Sequence, residues 1–187
     1  MEREEYEAAQ ELLQELPEKD SVDKKQIQAQ LYIKLGKLED AAKIEEEKLL
    51  AATNKLHQIL MTLMEIAMKE DRMEDAEYIS NVCKEGARLF DLWEYSAYVA
   101  QFQLYSDCKN GRKCLKVLLP MLKAPTCKWE SNRSPLYRHI QTKSFDPEFG
   151  PKMQKTLLHS MEADGDTEFL SRDEEFREIL KEFDEQA

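Results

Sequence analysis

From Met1 to Ala124 the apolar residues recur at steps of three and four, the period of an α-helix with one face toward a core. The pattern predicts a first helix through Tyr6, Ala9, Leu13 and Leu16, stopped at Pro17, and a second through Ile27, Leu31 and Leu35, capped by Asp20 or Ser21 and closed at Gly36. A third is expected from Leu38 with Ala41, Ala42, Ile44 and Leu49. A fourth follows with Leu56, Ile59, Leu60, Leu63, Met64 and Ala67, and a fifth with Ala76, Ile79, Cys83, Ala87 and Phe90. The sixth carries an aromatic stripe, Tyr95, Tyr98, Phe102 and Tyr105, and the seventh carries Cys114, Leu115, Leu118, Leu119 and Leu122. Pro120 falls inside the seventh, where a missing N–H and a ring clash cost about 3 kcal/mol, so a kink or an early end is expected there. Between Pro125 and Gly150 the period fades and prolines punctuate the chain, which reads as a loop or short-helix segment. Two further helices are predicted, one with Met153, Leu157, Leu158 and Met161, the other with Phe176, Ile179, Leu180 and Phe183. Ser171 and Glu174 stand at capping-box spacing before the second.

The strongest internal signal is a repeated turn. Gly36-Lys37-Leu38-Glu39-Asp40-Ala41 returns as Asp71-Arg72-Met73-Glu74-Asp75-Ala76, 35 residues later, and a looser copy places Cys114 another 38 residues on. A small residue at Ala41 or Ala76 lets two helix backbones approach closely, and the acid pair before it meets the positive end of the following helix. The period and these residues, with Ala29, Tyr32, Ala67, Phe102 and Tyr105, resemble tetratricopeptide repeats. The resemblance implies an all-α chain, a short α-solenoid of antiparallel helix pairs with about eight or nine helices. It implies a single domain over 1–187, with regular pairs over 1–124, the irregular basic segment at 125–150 and a last helix pair over 151–187. The chain departs from the repeat pattern in having Met64 at a small position and no proline closing the first two repeats.

Composition sharpens the class. The 187 residues are 42% apolar and 35% charged with only five Gly and six Pro, which fits a helix-rich globular chain and no fibrous or disordered one. No apolar run reaches bilayer length, and the acidic start Met1-Glu2-Arg3-Glu4-Glu5 lacks the basic and then apolar order of a secretory signal, so no membrane is expected and the expected compartment is the cytoplasm. The four cysteines form no CxxC pair, and Cys83, Cys108 and Cys114 fall in helical patterns where a small buried thiol fits. His57, His139 and His159 share no metal-ligand spacing. No nucleophile elbow or phosphate loop occurs, and Glu45-Glu46-Glu47 and Asp173-Glu174-Glu175 read as solvated helix faces. No catalytic residue, metal or cofactor is expected, and the protein is expected to be no enzyme.

Charge is uneven. The chain carries −11 overall, yet from Cys108 to Lys143 nine Lys and Arg face the single acid Glu130. Such a stretch either neutralises acidic helices within the fold or offers a site for an anion. Tyr98, Phe102, Tyr105, Trp129, Arg133, Tyr137, Arg138 and Lys143 are therefore the candidate ligand-binding residues, as aromatics and cations suited to a peptide, a protein segment or a small anionic ligand.

Three further segments, Leu92-Trp93-Glu94-Tyr95-Ser96, Lys128-Trp129 with Ser134-Pro135-Leu136-Tyr137-Arg138-His139-Ile140, and Phe149-Gly150-Pro151-Lys152-Met153, resemble the C-terminal helical half of bacterial transcription regulators with a Cro/repressor-type helix-turn-helix. The resemblance implies a sensor or dimerisation half, acting as a homodimer and reaching DNA only through an attached module. The acidic first 50 residues show no recognition helix of that kind. The alternative expectation is a stand-alone scaffold that binds a partner protein.

Overall fold

In a computed structural model the structure describes residues 23–142, 144 and 146–185, with side chains to 182. The helix expected through Tyr6 to Leu16, and the Asp20 or Ser21 cap, lie outside the described residues. All regular structure among them is helical: α1 (Lys24–Lys34), α2 (Leu38–Lys69), α3 (Met73–Leu89), α4 (Ser96–Asp107), α5 (Gly111–Lys123), α6 (Phe149–Ala163), α7 (Glu168–Ser171) and α8 (Glu174–Glu185), with short 3-10 turns at Ala124–Thr126 and Ser131–Arg133.

The third and fourth expected helices are one. α2 runs 32 residues without interruption, because nothing between Leu38 and Lys69 breaks it. Ala51 and Ala52 are strong helix formers, and the Thr53 hydroxyl donates back to the Leu49 and Leu50 carbonyls at 2.9 and 3.0 Å, so the polar Thr53-Asn54 step stays in the helix. The missing repeat-closing proline has this as its physical result. α5 also runs on through Pro120 to Lys123. The proline sits in the last turn, so it removes one hydrogen bond, and its own carbonyl still accepts from Ala124 N–H. At the C-terminal pair the expected capping box is replaced: Ser171 ends α7, and Asp173 Oδ1 accepts from Glu175 N–H at 2.9 Å at the start of α8.

The repeated turn of the sequence is a repeated helix ending. Gly36 (φ 71°), Asp71 (φ 59°) and Lys109 (φ 51°) each sit in the left-handed region just past α1, α2 and α4, and Asp91 (φ 46°) does so past α3. After each, the next N–H reaches back to the carbonyl five residues earlier: Lys37 to Tyr32, Arg72 to Ala67, Leu92 to Ala87 and Asn110 to Tyr105, at 2.8–2.9 Å. The small residues that follow three of these turns, Ala41, Ala76 and Cys114, are all buried.

The contacts gather into two compact units. The first comprises residues 1–53 and 131–142. In it Asp23 caps α1 by accepting from Gln26 N–H at 3.1 Å, and Lys48 of α2 holds that end, 2.8 Å from Asp23 and donating to Gln26 Oε1 at 2.6 Å. Among its described residues Ala29, Leu31, Ala41 and Tyr137 are the buried apolar ones. The second unit comprises residues 54–130 and 143–187. α4 packs between α3 and α5, and α6 lies on the Ala124–Thr126 turn and on α7 and α8. One core layer joins Met64, Ala67, Ala76, Cys83, Ala100 and Leu104. A second joins α5 (Cys114, Leu115, Leu118, Met121, Leu122) to Leu158, Met161, Leu170, Phe176 and Ile179. No described helix is long and apolar enough to cross a membrane.

Candidate functional site

Within the second unit three stretches far apart in sequence meet at one aromatic corner. The left-handed turn at Asp91 delivers Trp93 and Tyr95 to the start of α4, their rings stacked at 5.0 Å. Phe149, the first residue of α6, tilts against Trp93 at 6.4 Å. Trp129 donates its indole N–H to the Asp91 carbonyl at 3.1 Å, so the same turn anchors both tryptophans. Trp129 and Phe149 remain 37% and 51% exposed. Gly150 lets α6 approach: a Cβ there would stand 2.7 Å from the Pro125 carbonyl oxygen and 2.7 Å from Thr126 Cα.

No family model matches the chain, and no curated protein or solved structure matches it. The site therefore stands on its own residues.

Tyr98, Phe102 and Tyr105 extend from the corner along α4, half-buried and packed against the α5 core layer. The Tyr98 hydroxyl donates to Glu94 at 2.6 Å, which raises its pKa together with burial. Burial raises that of Tyr105, and Lys113, 4.9 Å above its ring, opposes the shift. Lys113 also pairs with Glu77 at 3.0 Å, so α3, α4 and α5 are tied through one ammonium. The basic stretch is partly spent inside the unit in this way. Lys109 donates to the Asp166 carbonyl, and Lys128 pairs with Glu130 at 3.1 Å. Arg112, Lys116 and Lys123 stay exposed along one face of α5.

The remaining candidates fall elsewhere. Arg133 and Arg138 are exposed in the 131–142 segment of the first unit, and Tyr137 between them is fully buried as its core aromatic. Lys143 lies outside the described residues.

The acidic run Glu45-Glu46-Glu47 is not uniformly solvated. Glu46 is only 9% exposed; its Oε2 accepts from the His139 backbone N–H at 2.7 Å and its Oε1 lies 2.6 Å from His139 Nδ1. One carboxylate thus fastens the 131–142 segment to α2, a contact 93 residues long in sequence that no local pattern signals. Cys108 also departs from expectation: it is exposed because it follows the last turn of α4, whereas Cys83 and Cys114 are buried and their thiols are pushed up to about 11 and about 12 by desolvation. No group of three or more His, Cys, Asp or Glu among the described residues is arranged to hold a metal ion.

Proposed function

We propose that this chain is a non-enzymatic sensor and dimerisation domain that responds to a peptide or small anionic ligand and acts on DNA through an attached helix-turn-helix. In this reading its helix pairs stack as a tetratricopeptide-like solenoid, and ligand binding shifts the packing of neighbouring pairs. The single supporting observation is the aromatic corner, where Trp93, Tyr95, Trp129 and Phe149 converge from three separate stretches and keep two rings accessible. Aromatic rings with two rotatable bonds each offer contact area at low entropic cost.

The chain has two tryptophans, both in this corner, so intrinsic fluorescence reports on it directly. Titrating short anionic peptides should quench or shift that emission and raise the melting temperature together. Phe149→Ala should weaken both responses about tenfold, the loss expected when one well-packed contact worth about 1.4 kcal/mol is removed. A ligand that stabilises the fold while leaving the emission of Trp93→Phe and Trp129→Phe proteins unaffected would place sensing elsewhere. A second reading, a scaffold for a partner protein, is favoured by an exposed apolar seam on α2.

A further inference from the structure

The C-terminal half of α2 has more apolar surface than its own core uses. Met64 and Ala67 are fully buried, with Leu60, Met61 and Met68 packed beside them. Turned away from that face, Leu56, Ile59, Leu63 and Ile66 are 46%, 47%, 46% and 43% exposed. Their spacing of three, four and three residues is that of alternate first and fourth positions of a heptad, which lines them into one seam. Exposed aliphatic side chains scattered singly are ordinary, but four in one helical row are a contiguous patch.

The rim of the seam says what kind of partner fits it. Beside Ile59 and Ile66, at seven-residue intervals, stand Lys55, Thr62 and Lys69, so the flanking row holds two cations and no acid in a chain whose net charge is −11. Lys69 is 74% exposed and touches Glu65, which approaches from the helix side opposite the seam. A second copy of this helix fits poorly. Laid antiparallel, the rows Lys55-Thr62-Lys69 face each other and bring lysine to lysine; laid parallel, each row faces Leu60 and Ala67, which are already committed to the core.

We propose that α2 between Leu56 and Ile66 is a docking face for an amphipathic helix of another protein, with aliphatic residues at three-four spacing and glutamate or aspartate at the flanking positions. Aliphatic residues of the partner fill the seam, and its carboxylates meet Lys55 and Lys69. This face is separate from the aromatic corner, so it stands or falls independently of the ligand-sensing reading.

The probe is a fluorescein-labelled synthetic helix with leucines at three-four spacing and glutamates at the flanks, compared with the same peptide bearing lysines there, by fluorescence anisotropy on the full chain. The acidic peptide should bind at least ten times more tightly than the basic one. Ile59→Ser with Leu63→Ser should weaken it at least tenfold, and Lys55→Glu with Lys69→Glu should reverse the preference. The lysine variants alter only exposed side chains and test the idea even if the seam variant melts early. Equal binding of both peptides, or binding untouched by either variant pair, would overturn the proposal. So would sedimentation showing a dimer that the seam variant dissolves, which would make a second copy the occupant. Tight peptide binding that emerges only on deleting residues 1–22 would assign the face to the chain's own N-terminal segment and likewise overturn it.

Discussion

Replacing Gly150 by alanine tests how closely α6 sits on the turn beneath it. The added Cβ would lie 2.7 Å from the Pro125 carbonyl oxygen, 2.7 Å from Thr126 Cα and 3.0 Å from the Pro125 carbonyl carbon, all backbone atoms with no rotamer to escape into. Relief requires moving the start of α6 off the Ala124–Thr126 turn, loosening Phe149 against Trp93 and the bond from Gln154 Nε2 to the Leu122 carbonyl at 2.7 Å. Overpacking of this kind costs about 1–3 kcal/mol. The helix-propensity gain of alanine offsets less than its usual ~1 kcal/mol, because position 150 lies in the first turn. At roughly 2–4 °C per kcal/mol for a chain of this size, the melting temperature should fall by about 2–10 °C. Gly86→Ala is the matched control: Gly86 is inside α3 with nothing within 4 Å of its Cβ position, so alanine there should stabilise by about 0.5–1 kcal/mol. Both changes are read by urea and thermal unfolding followed at 222 nm. If Gly150→Ala matches or exceeds the wild type while Gly86→Ala behaves as expected, the close approach of α6 is wrong.

Three other outcomes follow from particular contacts. Glu46→Ala should cost about 2–3 kcal/mol by urea unfolding, because it strands the His139 N–H, and Glu46→Gln should recover part of that; equal stability of all three proteins would refute the latch. At pH 8 the thiol reagent of Ellman should titrate the two exposed thiols, Cys108 and Cys127, in the native protein and all four cysteines only in denaturant; four fast thiols would contradict the burial of Cys83 and Cys114. Burial holds His57 below its ordinary value of 6.5. The unfolded chain therefore binds its proton first, and this histidine subtracts stability progressively as pH falls below about 6.5. His57→Gln should flatten that part of the pH–stability curve, and an unchanged slope would refute the assignment.

Helical periodicity was enough to read the elements α3, α4, α5 and α6, because each buries one face and ends where its apolar row ends. The fusion into α2 was hidden because a repeat template places a boundary near Thr53, while the only local evidence against one is the absence of Gly and Pro over that stretch. The aromatic corner was half legible. Its residues stand out in the chain, but their meeting depends on the left-handed turn at Asp91 and the missing Cβ at Gly150, neither of which a hydropathy pattern records. The Glu46–His139 contact was illegible for a simpler reason: a buried carboxylate and a solvated one are the same letter.

The positive-φ residues that close α1 to α4 have a stereochemical corollary. Gly36 has no handedness to offend, but Asp71, Asp91 and Lys109 are L-residues held in the conformation that their mirror images prefer. In a chemically synthesised chain, these are the sites where a D-amino acid would suit the native backbone better than the natural residue does. The helices are right-handed because the residues are L, and their repeated endings are the places where that chirality is worked against.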